Sequence, residues 1–358
     1  MKDTSTDRVE AKVQRRSESE NVVRKVLHLG SPWPVIDPFL VIGHLVDHYP
    51  AANQDLGPAT SEGRQDADDW SSPGWRMYYG NVVPGFPRHP HRGMETVTFT
   101  RRGVIDHSDS LGATARYGGG DVQWMTAGRG IEHAEMFPLR DQSGPNTLDF
   151  FQIWVNLPSD DKMVEPYFTM FWREDLPSRV PRDDAGRTTE VTVVAGAFED
   201  VQPLSPPPDS WAARSEAELA IWQFLAEPLS RWTLPSTAQD ETLRTRYVFD
   251  GSVEIDGKIL QAPIGAVLRS DTPVAVSAGP DGVQAIILQG RPIGEPVVRG
   301  GGFAMNTPQE IAQAYRDYDN NGFGEWRWPN PDPAHPRSTH RFAHHPDGRT
   351  EYPEGDDR

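Results

Sequence analysis

Four side chains that can bind a metal ion form two pairs with the same spacing. One residue separates His89 from His91, and one residue separates His133 from Glu135. In an extended strand, residues i and i+2 point to the same face of the sheet. Two such strands in one barrel would direct three imidazoles and one carboxylate at a common interior point. The spacing therefore predicts a mononuclear metal site.

This set of ligands restricts the chemistry without selecting one metal. The chain has no cysteine, which excludes disulfides and thiolate sites such as zinc ribbons and iron–sulfur clusters. Neutral imidazoles and a carboxylate suit iron(II), manganese, cobalt, nickel, copper or zinc. Four such ligands leave one or two positions open on an octahedral ion, where a substrate oxygen, dioxygen or water can bind.

Residues near the two pairs are expected to support the site. Pro90 has no N–H to give to a sheet, so it predicts an edge or bulged strand at the rim of the barrel. We interpret Glu95 as a support for a ligand, and His107, His44 and His48 as structural or supporting residues. The candidate pocket walls, each of which could instead be a core residue, are Phe86, Met94, Trp124, Met125 and Phe137.

The elements that would position these residues are short strands separated by glycine and proline, a pattern typical of an all-β sandwich or barrel. Strands are predicted in the first half at Val22–Leu29, Met94–Phe99, Val104–His107, Val122–Met125 and Phe150–Leu157. They are predicted in the second half at Val191–Ala195, Leu219–Leu225, Tyr247–Asp250, Ser252–Ile255, Ala266–Leu268, Val274–Ser277 and Ala285–Leu288. The one clear helical segment is Gln309–Tyr318, with Thr307 and Pro308 at its start.

The domain organisation follows from changes in composition along the 358 residues. We predict a disordered N-terminal tail over 1–21, a first barrel with the metal site over 22–165, and a linker over 166–189. A second barrel plus the helix should occupy 190–325, and a disordered or surface-draped extension 326–358. The acidic segment 50–75 is expected to be a surface loop beside the mouth of the site.

Charge and histidine distribution narrow the possible roles. The net charge of −17 argues against direct nucleic-acid binding through a broad basic face. The charged N-terminus does not resemble a secretory signal, and no apolar run approaches the roughly 20 residues of a membrane helix. We therefore expect a cytoplasmic protein that binds no membrane. We also expect a monomer, because two fused barrels already bury each other's faces. Because no histidine lies between His133 and His335, the second barrel should hold no such metal.

Several longer motifs resemble the pirin family of the cupin superfamily. They begin at His89 (HPHRGMETV), Gly120 (GDVQWMTAGRGIEHAEM) and Gln152 (QIWVNLP), with shorter matches at Asp37 (DPFL), Lys162 (KMVEP) and Phe303 (FAMNT). The resemblance covers about residues 22–325. The acidic segment 50–75 and the tail after Trp328 depart from the family pattern.

The resemblance implies a bicupin, with two antiparallel jelly-roll barrels facing each other and a metal, usually iron, in the first. It implies His89, His91, His133 and Glu135 as the metal ligands. Some bacterial members resemble quercetin 2,3-dioxygenases, which open the heterocyclic ring of a flavonol with dioxygen and release carbon monoxide. The animal member is an iron-dependent nuclear co-regulator of transcription.

Three hypotheses follow. In the first, the protein is a dioxygenase that takes a flavonol-like substrate and dioxygen, and Glu135 is both a ligand and the base that accepts the substrate proton. In the second, it is a regulatory protein whose metal redox state is sensed by a protein partner. In the third, the same fold carries out a different reaction.

Overall fold

The computed structural model describes residues 21–67, 69, 74–239 and 241–355. The tail predicted over 1–21 lies outside these ranges except for Asn21, and part of the acidic segment 50–75 does too. No helix in the described ranges is long and apolar enough to cross a membrane.

The described chain is built from antiparallel strands, which confirms the all-β prediction. Their bounds are β1 Val23–His28, β2 Phe39–Tyr49, β3 Arg64–Gln65, β4 Trp75–Arg76, β5 Gly85–His91, β6 Met94–Arg102, β7 Val104–Asp109, β8 Thr114–Gly118, β9 Asp121–Thr126, β10 Ile131–Met136, β11 Asn146–Asn156, β12 Tyr167–Phe171, β13 Ser178–Arg179, β14 Thr189–Ala195, β15 Ala220–Ala226, β16 Arg231–Leu234, β17 Leu243–Ile255, β18 Lys258–Gln261, β19 Ile264–Leu268, β20 Val274–Gly290, β21 Val298–Gly300, β22 Phe303–Met305, β23 Phe342–His344 and β24 Thr350–Glu351. Only the two-residue strands β3 and β4 pair in parallel. Short 3₁₀ turns lie at Ser159–Asp161, Trp211–Ala213 and Ser215–Ala217.

The described residues group into two compact units. One consists of Ser31–Leu176, Ser205–Ala213 and the residues from Ile293 onward, and we call it the histidine unit. The second unit consists of the residues up to Gly30, Pro177–Leu204 and Arg214–Pro292. The domain ranges predicted from the sequence stay a prediction.

Two large sheets and the two-stranded sheets β21-β22 and β3-β4 lie in the histidine unit. One large sheet has the strand order β12-β9-β6-β11-β2, and the other has the order β24-β23-β8-β7-β10-β5. Both are open sheets of a jelly-roll sandwich and not a closed barrel. β9 and β10 are buried along their whole length. β5 is the last strand of its sheet, which agrees with the edge position that Pro90 predicted.

A single nine-stranded sheet forms the second unit. Its main path is β1-β19-β17-β20-β15-β14-β13, with β16 paired to β20 and β18 paired to β17. The sheet encloses a large apolar core that includes Trp222, Phe224, Trp232, Val248 and Ile287. Alternation along β15 sends every second side chain, from Ala220 to Ala226, into this core.

The predicted helix is confirmed as α1, Pro308–Asn321. The Thr307 side chain accepts a hydrogen bond from the backbone of Glu310, whose carboxylate accepts one in return from the backbone of Thr307. This capping box satisfies donors that the first turn leaves open. By its contacts, α1 belongs to the histidine unit.

The C-terminal extension forms strands where it is described, up to residue 355, so the disordered one of its two expected forms is wrong for this part. Strand β23 pairs with β8 and so extends a sheet of the histidine unit. The buried Arg116 donates to both carboxylate oxygens of Asp106 and to the carbonyls of His335, Pro336 and Thr339. Few apolar residues occur here, so backbone pairing and buried ionic contacts replace apolar packing.

Candidate metal centre

Strand pairing brings three imidazoles together. β5 and β10 run antiparallel, and their register places His133 opposite His89. One ring nitrogen each of His89, His91 and His133 can be chosen so that all three lie within 4.8 Å of one another. The ring centroids are 4.4 to 4.9 Å apart. The three histidines therefore converge as their spacing in the sequence predicted. Their role as metal ligands stays a prediction.

Glu135 lies beside this group and not within it. The register of β5 and β10 shifts between His133 and Glu135, which places Glu135 opposite Phe86. Its carboxylate accepts hydrogen bonds from Gln152 Nε2 at 2.8 Å and Thr98 Oγ1 at 3.2 Å. One oxygen is 3.9 Å from His133 Nε2. The carboxylate is therefore held close to one imidazole, and its predicted ligand role is untested.

Backbone carbonyls orient two of the rings. His89 Nδ1 lies 2.8 Å from the carbonyl oxygen of Pro87, and His91 Nδ1 lies 3.1 Å from that of Gly302. A carbonyl only accepts hydrogen bonds, so each Nδ1 must carry and donate the proton. Each Nε2 then keeps its lone pair, which is the arrangement that ligating histidines need.

His133 has no such carbonyl partner. Among the described residues it is fully buried, and neither of its ring nitrogens has a hydrogen-bond partner. A buried polar group without a partner is costly, and a metal ion would supply one. The donor set at this point of the fold therefore fits a metal that prefers nitrogen ligands.

Burial keeps the three imidazoles neutral. Desolvation lowers the pKa of His133 well below its ordinary value and that of His91 to about 3. The pKa of His89 is also lowered by desolvation, although Glu135 opposes the shift. Neutral imidazole is the form that binds a metal, so no proton has to be displaced at neutral pH.

His107, which the sequence predicted to be a structural or supporting residue, lies beside His133. Its ring centroid is 5.4 Å from that of His133, and its other face stacks on Phe168 at 5.0 Å. His107 Nε2 lies 2.9 Å from a carboxylate oxygen of Asp109. Asp109 pairs with His133 in the sheet, so this contact connects β7 to the candidate centre.

Glu95 has partners away from the histidines. Its carboxylate accepts hydrogen bonds from Trp124 Nε1 at 3.2 Å, Thr126 Oγ1 at 2.8 Å and Ser210 Oγ at 2.7 Å. We expected Glu95 to support a metal ligand. Its recorded contacts instead attach the segment Ser205–Ala213 to β6 and β9.

One of the candidate pocket walls lies beside a histidine. The ring of Phe86 is 6.3 Å from that of His89. The other candidates are buried in the core, as the alternative interpretation held: Met94, Trp124, Met125 and Phe137.

Three residues near the centre were not singled out from the sequence. The ring of Trp154 lies 5.2 Å from that of His91. The carbonyl of Gly302 accepts a hydrogen bond from His91 Nδ1, and Gln152 donates one to Glu135. Trp154 and Gln152 lie inside the QIWVNLP motif, and Gly302 directly precedes FAMNT. The motifs were the available signal, but nothing in a strand pattern assigns their members to one site.

Comparison with known proteins decides the family. The family model described as Pirin matches residues 66–155, and the one described as Pirin C-terminal cupin domain matches 221–324. A Pseudomonas aeruginosa protein named "Putative quercetin 2,3-dioxygenase" is 36% identical over 239 residues, which cover 67% of this chain and 79% of that protein. Human Pirin is 34% identical over 254 residues, covering 69% of this chain and 81% of that protein. The chain belongs to the pirin family.

A solved pirin-like fold agrees with this assignment. A crystal structure of quercetin 2,3-dioxygenase from Acinetobacter baumannii superposes with a TM-score of 0.64 at 26% identity, covering 81% of this chain and 87% of that one. The family resemblance inferred from the motifs is therefore confirmed, and so is the two-domain cupin fold. In this pirin the histidine unit carries the motifs that begin at His89, Gly120 and Gln152.

Proposed function

We propose that this pirin binds one divalent metal ion through His89, His91 and His133 and acts as a dioxygenase on a flavonol-like substrate. The observation that carries the proposal is the group of three neutral imidazoles, two of them buried and that of His89 partly buried, with ligand atoms within 4.8 Å of one another. Names given to relatives supply the reaction class, since both the Pseudomonas and the Acinetobacter proteins are named quercetin 2,3-dioxygenases.

Iron(II) is the metal we propose, because the family resemblance favours it. The same nitrogen and oxygen donors accept manganese, cobalt, nickel, copper or zinc. A bound divalent ion would supply Lewis-acid chemistry toward the substrate oxygen and a partner for dioxygen.

Other residues near the centre would bind the substrate and accept its proton. Glu135 is proposed to accept the proton of the substrate hydroxyl, and its carboxylate is held for this by Gln152 and Thr98. Phe86 and Trp154 flank His89 and His91 with aromatic surface. A flat aromatic substrate would find stacking or edge contacts there.

Oxygen uptake with quercetin tests this function. The metal-free protein would be loaded with each candidate metal in turn, and uptake measured for wild type, His91→Ala and His48→Ala. His48 is an exposed histidine of the same unit, so its variant controls for the loss of an imidazole as such. We expect uptake in wild type and His48→Ala and none in His91→Ala.

Two results would contradict the proposal. Turnover by metal-free protein would show that the reaction does not need a metal. A loaded protein that consumes no oxygen with quercetin would exclude this activity and favour the regulatory hypothesis or another substrate.

A further inference from the structure

Two arginines lie in the interior of the second unit. Arg244 and Arg246 are two residues apart on β17, so their side chains share a face of the sheet. Both are fully buried. Val248, the next residue on this face, belongs to the apolar core. The two guanidinium groups therefore project among apolar and aromatic side chains.

Arg244 is largely paired. Its Nε and Nη2 donate to Gln289 Oε1 at 2.8 and 2.6 Å, and Nη2 also donates to the carbonyl of Pro235 at 2.8 Å. Burial lowers the pKa of Arg244 to about 10, although the charge of Glu218 opposes this shift. Only Nη1 is left without a partner.

Arg246 has no polar partner at all among the described residues. Its Nε, Nη1 and Nη2 are buried and make no hydrogen bond. The guanidinium lies over the rings of Trp232 at 5.1 Å and Phe224 at 5.8 Å. Burial alone lowers its pKa, to about 9, and no carboxylate opposes the shift. The group is still charged at neutral pH, so the core holds an uncompensated positive charge.

The unsatisfied atoms in this unit are all of one kind. In the described part of the second unit, the buried side-chain nitrogen and oxygen atoms without a partner are Trp232 Nε1, Arg244 Nη1 and the three nitrogens of Arg246. All five are donors. Isolated buried charges and unpaired buried donors are strongly disfavoured. An acceptor with negative charge would satisfy these donors and compensate the charge of Arg246.

We infer that the second unit binds a small organic monocarboxylate at Arg246, with Trp232 Nε1 and Arg244 Nη1 as additional donors. The planar fork of a guanidinium matches a carboxylate with two parallel hydrogen bonds. A ligand with a single negative charge is enough to compensate Arg246, because the charge of Glu218 already acts on Arg244. Phe224 and Trp232 offer aromatic contact to the apolar part of such a ligand.

Trp232 marks the route by which a ligand would enter. It is one of the residues that line a surface hollow of about 530 Å³ in this unit, together with Arg187, Arg231, Asp183 and Asp184. The same indole contacts the guanidinium of Arg246. Trp232 therefore belongs both to the lining of the hollow and to the surroundings of Arg246.

Thermal unfolding with added anions tests the inference. Acetate, benzoate and phosphate would each be titrated against chloride at constant ionic strength, and the unfolding midpoint followed. For wild type we expect a saturable rise with a monocarboxylate, of about 5 °C at one hundred times Kd. Arg246→Met, which keeps an unbranched side chain without charge, should lose this rise. Arg246→Lys, which keeps the charge without the fork, should bind at least about tenfold more weakly.

Matched variants separate this site from other effects. Arg24→Met removes one exposed arginine of the same unit and should keep the full rise. His133→Ala alters the candidate metal centre and should keep it too, so the two proposals can fail independently. The inference is overturned if no monocarboxylate gives a saturable rise, or if Arg246→Met and Arg246→Lys both bind as wild type does. A rise with phosphate alone would contradict the monocarboxylate assignment.

Discussion

At the scale of single residues, the candidate centre depends on which nitrogens are already engaged. His89 and His91 each use Nδ1 on a backbone carbonyl, so their orientation does not require a metal. His133 is different, because among the described residues its ring nitrogens make no hydrogen bond and its ring packs against neighbouring rings. We therefore expect His133 to be the histidine whose replacement changes metal binding most.

Glu135→Gln tests the proposed base. Glutamine keeps the shape and can still accept from Gln152, but it cannot take up a proton. We expect oxygen uptake with quercetin to fall by about 100-fold or more, the range attributed to a positioned acid or base. Metal content should be measured in the same samples. Full activity in a metal-loaded Glu135→Gln protein would exclude the base role.

Glu95 gives a prediction about pH. Burial raises the pKa of Glu95 to about 7, although hydrogen bonds from Ser210, Thr126 and Trp124 lower it. In the folded state the Glu95 carboxyl thus keeps its proton at pH values where the same group in the unfolded chain is ionised. Stability should therefore fall as the pH rises from about 4.5 to 7, by roughly 3 kcal/mol at about 1.4 kcal/mol per pKa unit.

The comparison with Glu95→Gln isolates this group from the other titrating residues. Denaturant unfolding at pH 5 and pH 8 should give a smaller loss of free energy of unfolding in the variant than in wild type. An equal loss in both proteins would show that Glu95 titrates normally.

Sequence reasoning reached the three histidines because a strand pattern fixes which residues share a face. It did not reach Trp154, which contacts His91 from β11, because cross-strand neighbours depend on the register. It also treated Glu95 as a support for the ligands, since distance along the chain was the only information. The side chains of Trp124, Thr126 and Ser210 decide its role instead.

At the scale of elements, the segment between β21 and β22 supports the centre. The backbone of Gly302 accepts the hydrogen bond of His91, and the next strand bridges to Arg92. A Cβ at Gly302 would lie 2.1 Å from the carbonyl oxygen of Pro90 and 2.8 Å from His91 Nδ1. Only glycine allows this approach.

Gly302→Ala should therefore displace the His91 ring. We expect metal affinity to fall by about 10- to 100-fold, as when other partners of ligating residues are lost. Competition with a chelator would measure the affinity. Gly144→Ala, where a Cβ would meet only the Asp141 side chain at 3.2 Å, is the control. Unchanged affinity in Gly302→Ala would show that this contact does not position the ligand.

The C-terminal segment gives a stability prediction. Arg116 and Asp106 are both fully buried, and two hydrogen bonds of 2.6 and 2.7 Å join them. Arg116→Met would leave the carboxylate without its charged partner, which should cost about 3–5 kcal/mol. Denaturant unfolding would measure this loss.

Arg129→Met provides the comparison for Arg116→Met. Its pair with Glu165 is exposed, with 59% and 75% of the two side chains accessible. We expect a cost of about 0–1 kcal/mol there. Similar costs in the two variants would contradict the role given to the buried pair.

The boundaries of strands could not all be predicted from the sequence. Tyr247–Asp250 and Ser252–Ile255 were predicted as two strands, but both lie in the single strand β17. Gly251 has φ 70° and the pairing with β20 shifts beside it. A glycine that bends a strand at a bulge has the same composition as one that ends it, so the sequence does not distinguish the two.

At the scale of the whole molecule, the two units differ in what their interiors contain. The histidine unit holds three neutral imidazoles beside a carboxylate, with His91 and His133 buried and His89 partly buried. The one histidine in the described part of the second unit, His28, is exposed, and the interior of that unit holds buried arginines instead. The family assignment explains the shared cupin fold but not this difference, which arises from a few interior residues.

Metal stoichiometry tests the central claim most directly. Wild type, His133→Ala and His48→Ala would be stripped, reloaded with iron(II) under anaerobic conditions, freed of excess metal and assayed for bound metal per chain. The account predicts one ion per chain in wild type and His48→Ala and near-complete loss in His133→Ala, with all three proteins folded. Full occupancy in His133→Ala, or no bound metal in wild type, would contradict it.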